Sequence, residues 1–341
     1  MTRRPRRRRP VVVASGLGAA LVVGALGLLA VQDRGAPTRV APTAAATSGA
    51  ATPSAAPTPR RTPRPRPVDP LTGRQPVEAG VLAVKVENIA AAWPQLGLSA
   101  ADVVVVEEVE GAQTRLVALY HSAFPRRVGP VRSARSTDVQ LLPAFGRTAL
   151  VYSGANARVQ AKIDDAPILA LQRDDRDPAR VAPHDVVVDL RALARTTELD
   201  PPRSPGWTFD ADAAVWDDAA RARSAAVRIG ADRFDFDHRD GHYGVTWNGR
   251  RYRDGGTGSV EAENVVVLDV ENTPDGNRDV LGAASVLSST VGRGKVTVHR
   301  DGRTLTGTWQ RSRRSAPLSL RDRDGDALPL RPGRTWVLLR G

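Results

Sequence analysis

The sequence predicts an α+β fold. We expect an N-terminal mixed α/β layered domain and a smaller β-rich C-terminal unit, after one N-terminal transmembrane helix and a disordered linker. Three observations support this prediction. Short β-branched runs recur after residue 67, helical patterns occur between them up to residue 204, and two Asp-Gly pairs join strand-like runs beyond it. The predicted segments are 1–10, 11–31, 32–67, 68–204 and 205–341.

Residues 11–31 form a run of 21 residues without a charged side chain or an amide. A helix of that length spans about 31 Å, which matches the hydrocarbon core of a bilayer. The arginines in residues 1–10 favour a cytoplasmic N-terminus and an extracytoplasmic body. We therefore predict a single-pass signal anchor in the cell membrane. A cleaved signal peptide is the alternative, and it exports the body as well.

Residues 32–67 contain eight prolines, with alanine, threonine, serine and arginine as most of the rest. A segment this poor in bulky apolar side chains cannot bury enough surface to offset the entropy of ordering it. The composition predicts a disordered stalk through the cell wall, about 110 Å long when fully extended.

Residues 68–204 combine predicted strands with a few predicted helices. Four consecutive valines at 103–106 show no alternation, which predicts a strand buried on both faces. Gly111 to Gln113 separates two strand-like runs and predicts a hairpin loop. The predicted strands are 81–86, 103–109, 115–120, 149–152 and 186–188, and the predicted helices follow Ser136 or cover 158–163 and 190–196.

Residues 205–341 follow a proline-rich break at 200–205 and are richer in β patterns. The Asp-Gly pairs at 240–241 and 301–302 each predict a hairpin. Further predicted strands cover 245–247, 265–270, 295–298 and 336–339. Five tryptophans lie here, at 207, 216, 247, 309 and 336, and we expect them to pack in the core rather than form a carbohydrate platform.

The charge distribution argues against a nucleic-acid-binding domain. The first 67 residues hold twelve arginines and one acid, whereas residues 68–341 hold 37 basic and 36 acidic side chains. The body therefore lacks the basic excess that displaces phosphate counterions. The chain also has no cysteine, which excludes disulfides, thiolate metal sites, a cysteine nucleophile and a lipidated cysteine.

The segment GPVRSARSTD at 129–138 is the strongest candidate for a site. Arg132 and Arg135 lie three residues apart, with Ser133 between them, just before a predicted helix. Arginine offers planar, fork-like donors to phosphate or carboxylate, and a helix start adds free amides. In the alternative interpretation Ser136 caps the helix, and the arginines pair with acids of the strand end at 107–110.

Other candidate residues carry weaker signals. His184 in Ala-Pro-His-Asp suits an acid, a base or an anion donor, but its spacing alone favours a structural histidine. Its grouping with Ser153 and Asp185 lacks a nucleophile elbow. His238 and His242 fall on opposite faces of a predicted hairpin, and the acidic loop at 322–326 lacks the glutamate of a calcium site. We therefore expect no metal and no cofactor.

The same residues resemble the YerB-like family of bacterial envelope proteins, a two-part domain family of unknown function. The resemblance covers nearly all of residues 70–341. Its main motifs are Pro70-Leu-Thr-Gly73, Trp93-Pro-Gln-Leu-Gly97, Gly129-Pro-Val-Arg-Ser-Ala-Arg135, Ala182-Pro-His184, Gly307-Thr-Trp309 and Pro332-Gly-Arg-Thr-Trp336. Many relatives are lipoproteins, whereas this chain has no cysteine. Relatives often show a His-x-Gly-Gly-Ser-like segment where this chain has residues 152–156, and asparagine in place of Asp185.

The resemblance implies an N-terminal α/β unit followed by a β-rich unit. It also implies one shared site, made of Glu110, Thr114, Arg115, Arg132, Ser133, Arg135 and His184.

From these observations we expect a non-catalytic binding module for an anionic cell-envelope ligand, such as a cell-wall component or a lipid-linked phosphate. Arg115, Arg132 and Arg135 would contact the anion. One alternative is an envelope hydrolase or transferase with His184 or Glu110 as acid or base. Another is a structural, partner-binding protein in which the cluster is a buried ion-pair network. The expected partners are the ligand and the membrane, with no nucleic acid.

Overall fold

The computed structural model describes residues 67–255, 258–278 and 282–341, which lie in one compact unit. The predicted membrane helix at 11–31, and the predicted linker up to residue 66, lie outside these ranges. Among the described residues, no helix has the length and apolar character needed to cross a membrane.

Strands with a few short helices make up the described chain, which confirms the α+β class. The strands are β1 Leu82–Asn88, β2 Val103–Glu108, β3 Thr114–Tyr120, β4 Ala149–Tyr152, β5 Leu169–Gln172, β6 Ala220–Arg221, β7 Ser224–Ile229, β8 Asp232–Arg239, β9 His242–Trp247, β10 Arg250–Arg251, β11 Arg253–Asp254, β12 Gly258–Ser259, β13 Glu261–Ala262, β14 Asn264–Asp269, β15 Asn272–Arg278, β16 Ala284–Ser288, β17 Gly292–Arg300, β18 Arg303–Arg311, β19 Ser319–Arg321 and β20 Thr335–Arg340. The α-helices are α1 Ser136–Leu141, α2 Ala157–Asp164 and α3 Leu190–Thr196, and short 3-10 helices cover Ala90–Ala92, Leu98–Ala100, Glu110–Ala112, Leu142–Phe145 and Ala214–Trp216.

Eleven of the described strands form one mixed sheet, in the order β19-β18-β17-β14-β20-β2-β3-β1-β4-β5, with β6 paired to β18. The sheet takes strands from both predicted segments of the body. The last strand, β20, lies between β14 and β2 and runs parallel to both, so the C-terminus joins the two groups of strands.

The core lies on both faces of this sheet. Val104 and Val106 of β2 belong to one buried cluster, and Val103 and Val105 belong to the other, which confirms the predicted two-sided burial. A smaller sheet, β7 to β10 with β13, packs on the face of the large sheet that carries Val104 and Val106. There the rings of Trp336 and Phe236 lie 5.9 Å apart between centroids. Helices α1 and α2 pack on the second face.

The Asp-Gly hairpins are confirmed. β8 and β9 pair antiparallel around Asp240 and Gly241, and β17 and β18 pair around Asp301 and Gly302. Each of these four turn residues has positive φ, between 51° and 83°, which is what a two-residue hairpin turn requires. The register pairs His238 with Tyr243 and Arg239 with His242, which places the two histidines on opposite faces of the hairpin, as predicted.

One predicted strand is wrong. Residues 186–188 make only isolated bridges, from Val186 to Arg176 and from Val188 to Val128. The neighbouring segment contains Pro130, which has no amide to donate, so a continuous ladder cannot form there. The five tryptophans at 207, 216, 247, 309 and 336 are buried, which confirms their predicted packing role. The acidic loop at 322–326 is a turn, in which Asp322 Oδ1 accepts from two backbone amides.

Candidate functional site

A buried carboxylate, Glu87, lies at the centre of the predicted arginine cluster. Its Oε2 is 2.5 Å from Arg132 Nε and 3.0 Å from His184 Nδ1, and its Oε1 is 3.8 Å from Arg115 Nε. Strand β1 places Glu87 opposite Arg115 on β3. Three of the predicted site residues therefore share one counter-ion, which the sequence analysis missed. Charged residues at alternate positions of a buried strand, Lys85 and Glu87, are the signal that could have found it.

A second ion pair joins Arg135 and Glu110. Arg135 Nη2 donates to Oε2 of Glu110 at 2.8 Å, and its Nε lies 2.7 Å from Oε1, so both carboxylate oxygens face this one guanidinium. Burial alone would raise the pKa of Glu110, but the hydrogen bonds and charge of Arg135 hold it below its ordinary value. Glu110 is therefore an ionised residue that orients Arg135, which disfavours its use as a general acid near neutral pH.

Arg115 is the most buried of the three arginines and the least well paired. Its side chain is 9% exposed, Nη1 donates to the carbonyl of Ser133 at 3.4 Å, and Nε has no hydrogen-bond partner in the described residues. Burial, together with the charges of Arg135 and Arg132, lowers the pKa of Arg115 to about 10, against the opposing effect of Glu87. The guanidinium thus stays charged at neutral pH with unused donor capacity.

Thr114 takes part in a different network. Its hydroxyl accepts from Asn88 Nδ2 at 2.6 Å and donates to Asp232 Oδ2 at 2.6 Å, so it links the large sheet to β8 of the smaller one. His184 contacts the cluster through Glu87. Ser133 lies beside Arg115 and contributes its backbone carbonyl.

The arginines open onto a cleft of about 660 Å³, which we call the arginine cleft. Its lining residues are Glu110, Gly111, Gln113, Arg115, Arg132, Ser133, Arg135, Gly154, Ala155, Asn156, Arg278 and Ala283. Four arginines therefore face one carboxylate. Arg278 comes from the end of β15 and is exposed, and sequence reasoning gave no signal for it.

A buried ionic cluster lies beneath the arginine segment. Lys85 Nζ contacts Glu107 and lies 2.8 Å from Asp138 Oδ1, and all three side chains are fully buried. Asp138 Oδ2 also accepts from the amide of Arg135 at 2.6 Å, so Arg135 rather than Ser136 precedes the first turn of α1. Burial and the charge of Asp138 raise the pKa of Glu107 to about 7, against the effect of Lys85.

Ser153, His184 and Asp185 do not form a hydrogen-bonded catalytic triad in the described structure. His184 Nδ1 faces Glu87, and Asp185 pairs with Arg176 at 2.5 Å. Of the acids at 107–110, Glu110 pairs with one of the predicted arginines, whereas Glu108 accepts from Asn272 at 2.9 Å. The arginines of the 129–138 segment therefore form ion pairs, as the alternative interpretation expects, and they also line an open cleft.

Comparisons with known proteins identify a two-part domain family. Two models of a protein family of unknown function, DUF3048, match the chain. The N-terminal domain of that family matches residues 71–202, and its C-terminal domain matches residues 225–337. The chain is 26% identical over 295 residues to the candidate lipoprotein YerB of Bacillus subtilis (strain 168), covering 79% of this chain and 84% of that one. The crystal structure of YerB from Bacillus subtilis superposes with a TM-score of 0.67 at 21% identity, covering 80% of this chain and 96% of that one.

Proposed function

The chain belongs to the YerB-like family of two-part DUF3048 domains, and from that premise we propose that it binds an anionic envelope ligand in the arginine cleft. The observation that carries the proposal is the incomplete pairing of Arg115. Its Nη1 makes one long hydrogen bond, at 3.4 Å, and no described residue accepts a hydrogen bond from its Nη2, although the side chain is only 9% exposed. A desolvated guanidinium is costly unless further acceptors complete its hydrogen bonds, and an anion in the cleft that Arg115 lines supplies one.

The charge of the cleft supports the same proposal. Its four arginines are offset by Glu110 on the wall and by Glu87 behind it, which leaves about two positive charges without a carboxylate. A second groove, between α3 and residues 173–178, provides a contrast. Three of its four arginines, at 127, 173 and 176, are each paired with an aspartate, and the fourth, Arg126, is exposed. Most arginines of the second groove therefore have a carboxylate partner, whereas the arginine cleft has more arginines than carboxylates.

The location of the protein is part of the proposal. The description of YerB as a candidate lipoprotein supports a place at the cell envelope for this chain. The predicted helix at 11–31 would hold the protein there in place of a lipidated cysteine, which this chain lacks. The body would then meet its ligand outside the cytoplasm.

Thermal unfolding of the full chain with a panel of phosphates, lipid-phosphate analogues and wall fragments tests the proposal. A ligand at a hundred times its Kd stabilises the folded state by about 2.7 kcal/mol, which is roughly 5–11 °C in a domain of this size. Arg132→Ala should abolish the shift, because Arg132 lines the cleft and its side chain is 24% exposed. Arg126→Ala, at an exposed arginine of the second groove, should leave the shift unchanged.

The structural alternative makes a different prediction for the same experiment. If the cluster serves only as an ion-pair network, no ligand shifts the transition, and Arg132→Ala unfolds early because Glu87 loses a partner. That pair of results would contradict the binding proposal.

A further inference from the structure

A second set of donors lines the arginine cleft, in the turn from Gly154 to Asn156 between β4 and α2. Within the described chain, the backbone amides of Gly154, Ala155 and Asn156 donate no hydrogen bond. The turn is held against the arginine segment, because Ala134 donates to the carbonyl of Gly154 at 2.9 Å and Ser153 donates to that of Arg132 at 3.1 Å.

The turn also begins a helix. Asn156 accepts from the amide of Val159 at 2.9 Å and so caps α2, whose eight residues follow directly. The positive end of the helix dipole favours an anion near this turn. The independent observation at the same cleft is Arg115, a lining side chain only 9% exposed, whose one hydrogen bond among the residues described, from Nη1 to the carbonyl of Ser133, is 3.4 Å long.

Arg278 adds a donor from a third part of the chain. It ends β15, its Nη1 donates to the carbonyl of Gly282 at 2.6 Å, and its exposed side chain lines the cleft. The cleft thus draws donors from the 132–135 segment with β3, from the 154–156 turn and from the β15–β16 hairpin.

We propose that the anionic group held in the arginine cleft is a phosphoryl group, an inference that rests on the proposed function. A carboxylate has two coplanar oxygens, which one arginine can contact together, as Arg135 contacts both oxygens of Glu110 in this chain. A phosphoryl group presents three oxygens in different directions and carries up to two negative charges. Donors from three parts of the chain and about two uncompensated positive charges match the phosphoryl group.

The direct test is a calorimetric titration of the full chain with inorganic phosphate and, separately, with acetate. Phosphate should bind at least about tenfold more tightly than acetate, which corresponds to one additional charge-assisted hydrogen bond. Equal affinities for the two would overturn the inference and leave the proposed function standing. No binding of either ion, or of the wall fragments in the thermal panel, would overturn both.

Two variants assign the contacts. Arg278→Ala should weaken phosphate binding by about two- to fivefold, the effect of an exposed ion pair, whereas Arg293→Ala, at an exposed arginine on β17, should not. Gly154→Ala adds a methyl that meets no atom within 4 Å, so the variant should fold normally and weaken phosphate binding by crowding the turn. Unchanged binding in both Arg278→Ala and Gly154→Ala would overturn the assignment.

The source of the phosphoryl group is distinguished by two further probes. Farnesyl phosphate in neutral detergent micelles represents a lipid-linked phosphate, and a short poly(glycerol phosphate) represents a wall polymer. Binding of one of them more tightly than inorganic phosphate supports the inference and identifies the source. Weaker binding of both than of acetate would overturn it.

Discussion

Replacing Glu87 with glutamine should separate the stability of the site from its affinity. Glu87 is 2% exposed and faces Arg132 at 2.5 Å, His184 at 3.0 Å and Arg115 at 3.8 Å. Glu87→Gln keeps the shape and removes the charge, so Arg115 remains buried without its counter-ion. Loss of one partner from a buried pair costs about 3–5 kcal/mol. We expect the lower end, about 3 kcal/mol, because Arg132 is partly exposed to water.

In a domain of this size that loss lowers Tm by roughly 6–12 °C, measured by calorimetry of the full chain. Glu78→Gln, at an exposed glutamate, is the matched control and should leave Tm within about 2 °C. The affinity for phosphate should change in the opposite direction. Because the cleft loses a negative charge, Glu87→Gln should bind phosphate more tightly. An unchanged Tm, or a parallel loss of stability and affinity, would refute this reasoning.

Three other variants test the surroundings of the site. Hydrogen bonds from His121 to Asp69 and Gly80 raise the pKa of this histidine although burial opposes it. The stability that protonated His121 contributes is present below the pKa of this histidine in the unfolded chain, and it is lost as pH rises through its pKa in the folded chain. In urea unfolding, His121→Asn should therefore lower the free energy of unfolding more at pH 6 than at pH 9. Burial raises the pKa of Glu107 to about 7, so the folded state binds this proton more tightly than the unfolded state does. The free energy of unfolding of the wild type should therefore fall as pH rises from 4.5 to 7, and Glu107→Gln should reduce that pH dependence. Thr114→Val should cost about 1–3 kcal/mol in the same assay without changing phosphate affinity, because its hydroxyl serves Asn88 and Asp232.

Local patterns predicted most of the described strands and helices. Valines without alternation identified β2, Asp-Gly pairs identified two hairpins, and α3 matches its predicted range of 190–196. Pairings distant in sequence were not predictable. β20 inserts between β14 and β2, which puts residues about 230 positions apart into one register, and no local pattern encodes that choice. The isolated bridges at Val186 and Val188 likewise depend on Pro130 in a neighbouring segment.

The sequence predicted the arginines of the site better than their partners. Three arginines and Ser133 line one cleft with Glu110, as the motif and the resemblance implied. Glu87 escaped notice because it belongs to a strand far from the motif in sequence. Arg278 escaped because hairpin residues carry no pattern that indicates which cleft they line. Tertiary structure alone brings Arg278 to the cleft and Glu87 behind it.

The most direct test of the central claim is the arginine Nε–H spectrum of the full chain, recorded by NMR with and without inorganic phosphate. The resonance of Arg115 can be assigned by its absence in Arg115→Gln. If the cleft holds an anion, phosphate should shift this resonance, because an anion bound at the Nη groups of Arg115 alters the charge distribution of the same guanidinium. A resonance that stays unchanged at saturating phosphate would contradict the account.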